Sequence, residues 1–130
     1  MAKNSILGGS KLVAFVPTTD RVKSRAFYEG VLGLRLAKDD SPFALVFDAK
    51  GTILRVTTVA EHNPDLFTVL GWEVESIDRT VKQLIAAGVE FLRYPGLNDN
   101  DPLGIWTAPS GARIAWFHDP DGNVLSLTEF

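Results

Sequence analysis

The chain offers few side chains that could attack a substrate or hold a metal. It has no cysteine and only two histidines, His62 and His118. Disulfides, thiolate zinc sites and cysteine nucleophiles are therefore excluded. His62 stands in a polar linker and His118 beside a turn, whereas a metal site needs several converging ligands. We therefore expect both histidines to be solvent-facing polar residues.

Three other side chains are candidates for ligand chemistry. Arg55 interrupts an apolar strand pattern. An arginine in this place anchors an anionic or carbonyl-bearing ligand, forms an ion pair with Glu73, or faces solvent at the rim of the sheet. Glu73 is either that ion-pair partner or a general base in a metal-free reaction. Ser126 could hydrogen-bond a ligand, but no histidine adjoins it in the sequence to activate it as a nucleophile.

Arg55 and Ser126 correspond to each other in an internal repeat. The segment 50–58 aligns without a gap on the segment 121–129. The alignment places Gly51 on Gly122, Leu54 on Leu125, Arg55 on Ser126 and Val56 on Leu127. Such repeats indicate duplicated structural units. We therefore expect Arg55 and Ser126 to take equivalent places in two copies of one strand.

The elements that position these residues also occur twice in the same order. Each half of the sequence indicates a strand, a helix and three more strands, the second half including a strand at 89–92. The first helix has N-cap candidates in Thr18, Thr19 and Asp20, and the second has Ser76. Val22 and Ala26 are predicted to face the core from the first helix. We divide the chain into a flexible leader (1–10), a first unit (11–59), a linker (60–66) and a second unit (67–130). One helix per four short strands predicts an α+β fold.

Alternation along the strands separates two faces. One face is almost uniformly apolar and should be buried under the helices. Its residues are Leu12, Ala14 and Val16, then Leu54 and Val56, then Leu70, Trp72 and Val74, then Leu125 and Leu127. The opposite stripes are mixed: Val13, Phe15 and Pro17; Ile53, Arg55 and Thr57; Val69, Gly71 and Glu73; Val124, Ser126 and Thr128. A mixed face on a curved sheet suits a ligand cavity, and solvent or a dimer partner is the alternative.

Four aromatic residues could stack on an aromatic ligand or pack in the core: Phe15, Phe47, Trp106 and Trp116.

The composition limits the classes of partner that the protein could bind. The chain has 130 residues, a net charge of −3 and no basic run, which does not favour nucleic acid. It has no apolar stretch of the roughly 20 residues that a membrane span needs. We expect a cytoplasmic protein with no membrane partner.

Three stretches together resemble the vicinal oxygen chelate superfamily, which includes glyoxalase I, extradiol dioxygenases, fosfomycin-modifying enzymes and bleomycin-resistance proteins. They are Asp20 through Phe27-Tyr28-x-x-Val31-Leu32-Gly33-Leu34, then Ala86-Ala87-Gly88-Val89, then Gly111-x-Arg113-x-x-x-Phe117-x-Asp119-Pro120-Asp121-Gly122-Asn123. The resemblance implies two tandem βαβββ modules that form a curved mixed sheet around a cavity, with the helices on the outer face. It also implies a homodimer.

Enzymes of this superfamily hold a divalent metal on four inward side chains, which are histidines, carboxylates or glutamine. The matching positions here are Val13, Arg55, Val69 and Ser126. Two are aliphatic and one is a fixed cation that repels a metal. The resemblance therefore implies that the shared metal site is absent, and we expect no metal and no cofactor.

Three hypotheses of function follow. The first is a bleomycin-resistance-like protein that binds a small aromatic or hydrophobic molecule in a metal-free cavity. The second is a lyase, dioxygenase or thiol transferase with a non-standard or absent metal site, and the third is a structural or regulatory dimer. We predict ligand-binding roles for Arg55, Glu73, Ser126, Val13, Phe15, Val69 and Trp106, and assign no catalytic residue.

Overall fold

Two units with the same order of elements make up the computed structural model, which describes residues 5–130. The first module contains β1 (Val13–Thr18), α1 (Arg21–Arg25), β2 (Arg35–Asp40), β3 (Ala44–Ala49) and β4 (Thr52–Thr58). The second module contains β5 (Thr68–Glu73), α2 (Ile77–Ala86), β6 (Trp106–Thr107), β7 (Arg113–His118) and β8 (Val124–Glu129). The predicted α+β class with two βαβββ modules is confirmed.

The limits of the predicted leader and linker stay predictions. Residues 1–4 of the leader lie outside the described residues, and residues 5–10 are exposed around a single turn. Among residues 5–130, no helix is long and apolar enough to cross a membrane.

Each module forms a four-stranded mixed sheet in which the first and last strands are neighbours. The orders are β1-β4-β3-β2 and β5-β8-β7-β6, and the pairs β1–β4 and β5–β8 are parallel. The internal repeat is thereby explained, because β4 and β8 hold the same place in the two sheets. Arg55 lies opposite Phe15 on β1, and Ser126 lies opposite Gly71 on β5.

The first helix buries a different face from the one that the sequence predicts. Asp20 caps α1 by accepting a hydrogen bond from the backbone N–H of Lys23, and a π-helical turn (Ala26–Val31) continues the helix. Val22 is exposed, whereas Ser24 and Tyr28 are buried. The hydroxyl of Ser24 bonds that of Thr18 at 2.7 Å, which turns this polar side of the helix toward the sheet.

The second helix matches the prediction more closely. Ser76 caps α2 by accepting the N–H of Arg79, and Glu129 of β8 accepts the N–H of Ile77 at 2.9 Å. Ile77, Val81 and Leu84 are its buried residues. The predicted strand at 89–92 is wrong, because this segment forms only an isolated bridge between Phe91 and Phe117.

The helix-facing sides of both sheets share one core. The predicted apolar stripes supply Val16, Leu54, Val56, Leu125 and Leu127, all nearly or fully buried. Burying each such side chain contributes about 2 kcal/mol. Leu12 is an exception at 80% exposed, because β1 begins only at Val13. Phe47 is a core residue and does not face a ligand.

A buried polar network also joins the modules. Asp119 accepts hydrogen bonds from the Tyr28 hydroxyl at 2.7 Å and from the Asn123 side-chain amide at 2.8 Å. The same amide donates to the Pro17 carbonyl, so the Asn123 oxygen is left to accept from Nε2 of His62 at 2.7 Å. Burial, followed by the charge of Asp119, raises the pKa of the Tyr28 hydroxyl far above its usual range.

Candidate functional site: the open faces of the two sheets

The two sheets each present one side away from the shared core, and we call this side the open face. The first open face is formed by Val13, Phe15, Lys38, Asp40, Ala44, Val46, Asp48, Ile53, Arg55 and Thr57. The second open face is formed by Gly71, Glu73, Trp106, Ile114, Trp116, Ser126 and Thr128. Six of the seven predicted ligand-binding residues lie on these faces.

Arg55 is the central charged residue of the first open face. Its side chain is 34% exposed, and its Nη2 lies 3.7 Å from Oδ2 of Asp40. The proposed ion pair with Glu73 is not formed, because Asp40 at the end of β2 is the acid within reach. Phe15 lies beside Arg55 on β1 and is 61% exposed, and Val13 is also exposed.

Thr57 holds a polar atom that the fold leaves unsatisfied. Its Oγ1 is buried and has no hydrogen-bond partner among the described residues. Its strand neighbours are Ala44 on β3 and Pro17 on β1, neither of which carries a polar side chain. A buried hydroxyl without a partner costs free energy, and this one lies next to Arg55 on one face of β4.

Ser126 and Gly71 form the floor of the second open face. Ser126 is only 8% exposed. A Cβ atom at Gly71 would lie 2.5 Å from Ser126 Oγ, so the absence of a side chain at position 71 makes room for the hydroxyl. The equivalent pair of the first module, Phe15 and Arg55, consists of two large residues.

Three aromatic rings form a wall beside Ser126, and we call them the aromatic wall. Trp106 and Trp116 stack with ring centroids 6.2 Å apart, and Tyr94 meets Trp116 edge-on at 5.4 Å. Trp116 is the strand neighbour of Ser126. The sequence prediction included Trp106 as a ligand-binding residue and missed Tyr94, which lies in the loop after Leu92 and gives no periodic signal.

Glu73 and Val69 sit at the two ends of β5. Glu73 is exposed and pairs in register with Thr128. It also lines a cavity of about 360 Å³ between the modules, together with Ala14, Leu54 and Trp72. Val69 lies at a register shift between Thr68 and Leu70, so strand alternation does not set its direction.

A larger cavity, of about 460 Å³, lies on the helical side of the molecule. Phe27, Val31, Phe91 and His118 are among its lining residues. None of the predicted ligand-binding residues lines it. It therefore lies apart from both open faces.

The residues at the superfamily's metal positions do not fit a metal ion. Val13 and Val69 have no donor atom, Arg55 is cationic and Ser126 offers one neutral hydroxyl. Within residues 5–130, no group of three or more histidine or carboxylate side chains is gathered around a point. His118 is exposed as predicted, but the prediction for His62 is wrong because it is half-buried against Asn123.

Solved structures share this fold at low sequence identity. A lactoylglutathione lyase from Agrobacterium tumefaciens aligns with a TM-score of 0.72 and 15% identity, covering 93% of each chain. TioX from Micromonospora sp. ML1 aligns with a TM-score of 0.70 and 19% identity, covering 93% of this chain and 98% of TioX. A superfamily member from Sphaerobacter thermophilus aligns with a TM-score of 0.71 and 25% identity, covering 92% of this chain and 96% of that one.

Sequence comparison gives one curated relative and one family. A DNA polymerase I from Pseudomonas aeruginosa is 34% identical over 102 residues, which are 73% of this chain. The chain spans 11% of that polymerase, so the match carries no polymerase activity to this protein. The model of the Glyoxalase/Bleomycin resistance protein/Dioxygenase superfamily matches residues 11–127. The chain therefore belongs to this superfamily, as the resemblance of its motifs predicted.

Proposed function

We propose that the protein binds a small aromatic or hydrophobic molecule on its open faces, without a metal, as a homodimer. The observation that supports this best is the aromatic wall of Tyr94, Trp106 and Trp116 beside the small pair Gly71 and Ser126. Flat rings at the edge of a shallow floor offer stacking surface to a planar ligand. Ser126 provides a hydroxyl at the floor to orient a polar atom of that ligand.

A second copy of the chain would complete the site. β1 and β5 are both edge strands of their sheets and approach each other within the chain, and both carry exposed apolar residues, including Val13, Phe15 and Val69. Exposed apolar edge strands favour association. Covering them with another copy would turn two open faces into the walls of an enclosed cavity.

The enzyme hypothesis has less support. Among the described residues, neither Glu73 nor Ser126 forms a side-chain hydrogen bond with a histidine. Ser126 would need such a contact to be activated as a nucleophile. The structural-dimer hypothesis gives no reason for an aromatic wall next to a buried hydroxyl. Both hypotheses remain alternatives to be separated by experiment.

A neutral fluorescent probe tests the proposal. We expect N-phenyl-1-naphthylamine to bind with a stoichiometry near one per chain and with unchanged affinity after treatment with a chelator. Trp106→Phe should weaken binding severalfold, since it removes part of the stacking surface. Trp72→Phe is the matched control, because Trp72 packs against the core on the other side of the sheet.

Two outcomes would overturn the proposal. Absence of saturable binding by the wild-type protein would leave the open faces without a ligand function. Binding that requires a stoichiometric metal ion would show that the metal-free assignment is wrong and would favour the enzyme hypothesis.

A further inference from the structure

Arg55 has the least satisfied guanidinium of the partly buried arginines. Five of the seven arginines donate side-chain hydrogen bonds within the chain: Arg21, Arg25, Arg35, Arg93 and Arg113. Arg79 is exposed on α2. Arg55 is two-thirds buried, donates no side-chain hydrogen bond among the described residues, and has only Asp40 at 3.7 Å. Its planar set of donors is therefore available on one side of the sheet.

The surroundings of Arg55 strengthen any interaction with an anion. Its neighbours across the strands are Val46 on β3 and Phe15 on β1, and neither can accept a hydrogen bond through its side chain. Low local polarity makes a charge-assisted hydrogen bond stronger than it is in water. A guanidinium in this setting gains most from a carboxylate-like acceptor that it can bind with two N–H groups.

The unpartnered Thr57 hydroxyl supplies an independent observation. Thr57 lies two residues from Arg55 on the same face of β4, which places their Cα atoms about 7 Å apart. A ligand group bound by Arg55 would lie near Thr57, whose buried Oγ1 would have to turn outward to donate to it. This contact would satisfy the hydroxyl that the fold leaves without a partner.

The charge of the first open face also favours an anion. Arg35 is the strand neighbour of Asp48, so it also lies on this face, where it pairs with Asp48 at 2.7 Å, and Arg55 lies near Asp40. Lys38 lies in the same cross-strand row as Val46 and Arg55 and forms no ion pair among the described residues. One cationic side chain is therefore left over on this face.

From these observations we infer that the ligand is an aromatic acid whose anionic oxygen group, a carboxylate or sulfonate, is bound by Arg55 and Thr57. The inference rests on the proposed function, which supplies the apolar part of the site. It adds that the first open face selects for negative charge. Neutral aromatic molecules would bind through their rings alone.

Two probes that share one ring system separate the contribution of the charge to binding from the contribution of the rings. 8-Anilinonaphthalene-1-sulfonate carries a sulfonate, and N-phenyl-1-naphthylamine is the same molecule without it. We expect wild-type protein to prefer the sulfonate by about tenfold in Kd, as one charge-assisted hydrogen-bonded contact predicts. Arg55→Gln should abolish this preference by raising the Kd of the sulfonate far more than the Kd of the neutral probe.

Three further variants sharpen the test. Arg79→Gln removes an exposed arginine of α2 and should change neither Kd. Arg55→Lys keeps the charge but not the planar donor set, so its Kd for the sulfonate should be intermediate. Thr57→Val keeps the side-chain shape. It should raise only the Kd of the sulfonate probe, by about threefold, as expected for the loss of one hydrogen bond.

The outcomes distinguish this inference from the proposed function. Two outcomes would overturn the inference and leave the proposed function standing. Wild-type protein could bind both probes saturably with equal Kd, or Arg55→Gln could lose the same fraction of its affinity for both probes. Failure of both probes to bind wild-type protein would overturn the two together. Retained binding of the neutral probe by Arg55→Gln also shows that this variant is folded.

Discussion

Arg55 and Ser126 hold the same position in two copies of one strand, yet they give the two open faces opposite chemistry. In the first module the pair Phe15 and Arg55 is large and cationic. In the second module the pair Gly71 and Ser126 is small and neutral. A molecule that contacts both faces would meet a charged end and a stacking end, so its orientation would be fixed by this difference.

At the residue scale, Gly71→Ala should be destabilising. The new Cβ would lie 2.5 Å from Ser126 Oγ and 3.3 Å from the Ser126 carbonyl oxygen. We expect a loss of about 1–3 kcal/mol in the free energy of unfolding. Urea unfolding of the single and double variants would measure it, and adding Ser126→Ala should recover most of the loss.

Gly30→Ala is the control for this prediction, because a Cβ at Gly30 would meet no atom within 4 Å and its φ is not positive. Equal stability of Gly71→Ala and wild-type protein would contradict the prediction. It would mean that the Ser126 hydroxyl rotates away without cost.

The sequence predicts residues that the structure places on the open faces, but it does not predict which residues they contact. Arg55 was identifiable because a charge interrupts an apolar strand, and the gap-free repeat placed it opposite Ser126 in the other copy. Its neighbour Asp40 was not identifiable, since the two residues meet only through the register of β2, β3 and β4. Tyr94 was missed for a related reason, because its loop position follows no period.

At the element scale, strands were easier to predict than helix faces. Period-two alternation predicts the buried side of β4, and burial confirms it; in β8 both sides are buried, because Val124 and Ser126 are nearly inaccessible as well. In α1, the apolar spacing of Val22 and Ala26 suggested the wrong buried side. The side that is buried carries Ser24 and Tyr28, whose polar atoms find partners in Thr18 and Asp119. Such tertiary hydrogen bonds override apolar periodicity in a short helix.

The bond between Tyr28 and Asp119 predicts a pH dependence. The pKa of Tyr28 is raised above its ordinary value of 10.0, so the folded state keeps the proton that the unfolded chain releases. The stabilisation is fully present below pH 10 and is lost as the pH rises further. We expect wild-type protein to lose about 1.4 kcal/mol more per pH unit above 10 than Tyr28→Phe does.

Urea unfolding between pH 8 and pH 11 tests this expectation, with Tyr28→Phe as the reference for all other titrating groups. Parallel stability profiles for the two proteins would contradict it. At pH 8 the variant itself should be less stable by about 1.5–3 kcal/mol, the range for a hydrogen bond to a charged group.

At the scale of the whole molecule, the two modules form one unit through a shared core and a buried polar network. Val16 and Phe47 of the first module belong to the same core as Phe117 and Leu125 of the second. Outside this shared interior, the edge strands β1 and β5 carry exposed apolar side chains, including Val13, Phe15 and Val69. The helical side of the two sheets is thus packed within the chain, whereas the open side leaves apolar side chains exposed.

We expect wild-type protein to sediment at twice the chain mass of 14.2 kDa. Val13→Glu should shift it toward the monomer, since a carboxylate on β1 would be buried in an apolar interface. Val22→Glu is the matched control, because Val22 is exposed on α1, away from the open faces. A monomeric wild type at all concentrations would contradict the dimer and the enclosed cavity.

The pairing of the first strand of each module with its last also sets an order in time. β5 has no neighbour in its sheet except β8, which leaves the ribosome after every other strand of the second module. The sheet that carries the aromatic wall therefore cannot assemble around its centre until residues 124–129 have emerged. Such long-range closure is slow compared with local helix formation. During synthesis, β1 and β4 of the first module can therefore pair while β5 still lacks its parallel partner and keeps its apolar side exposed.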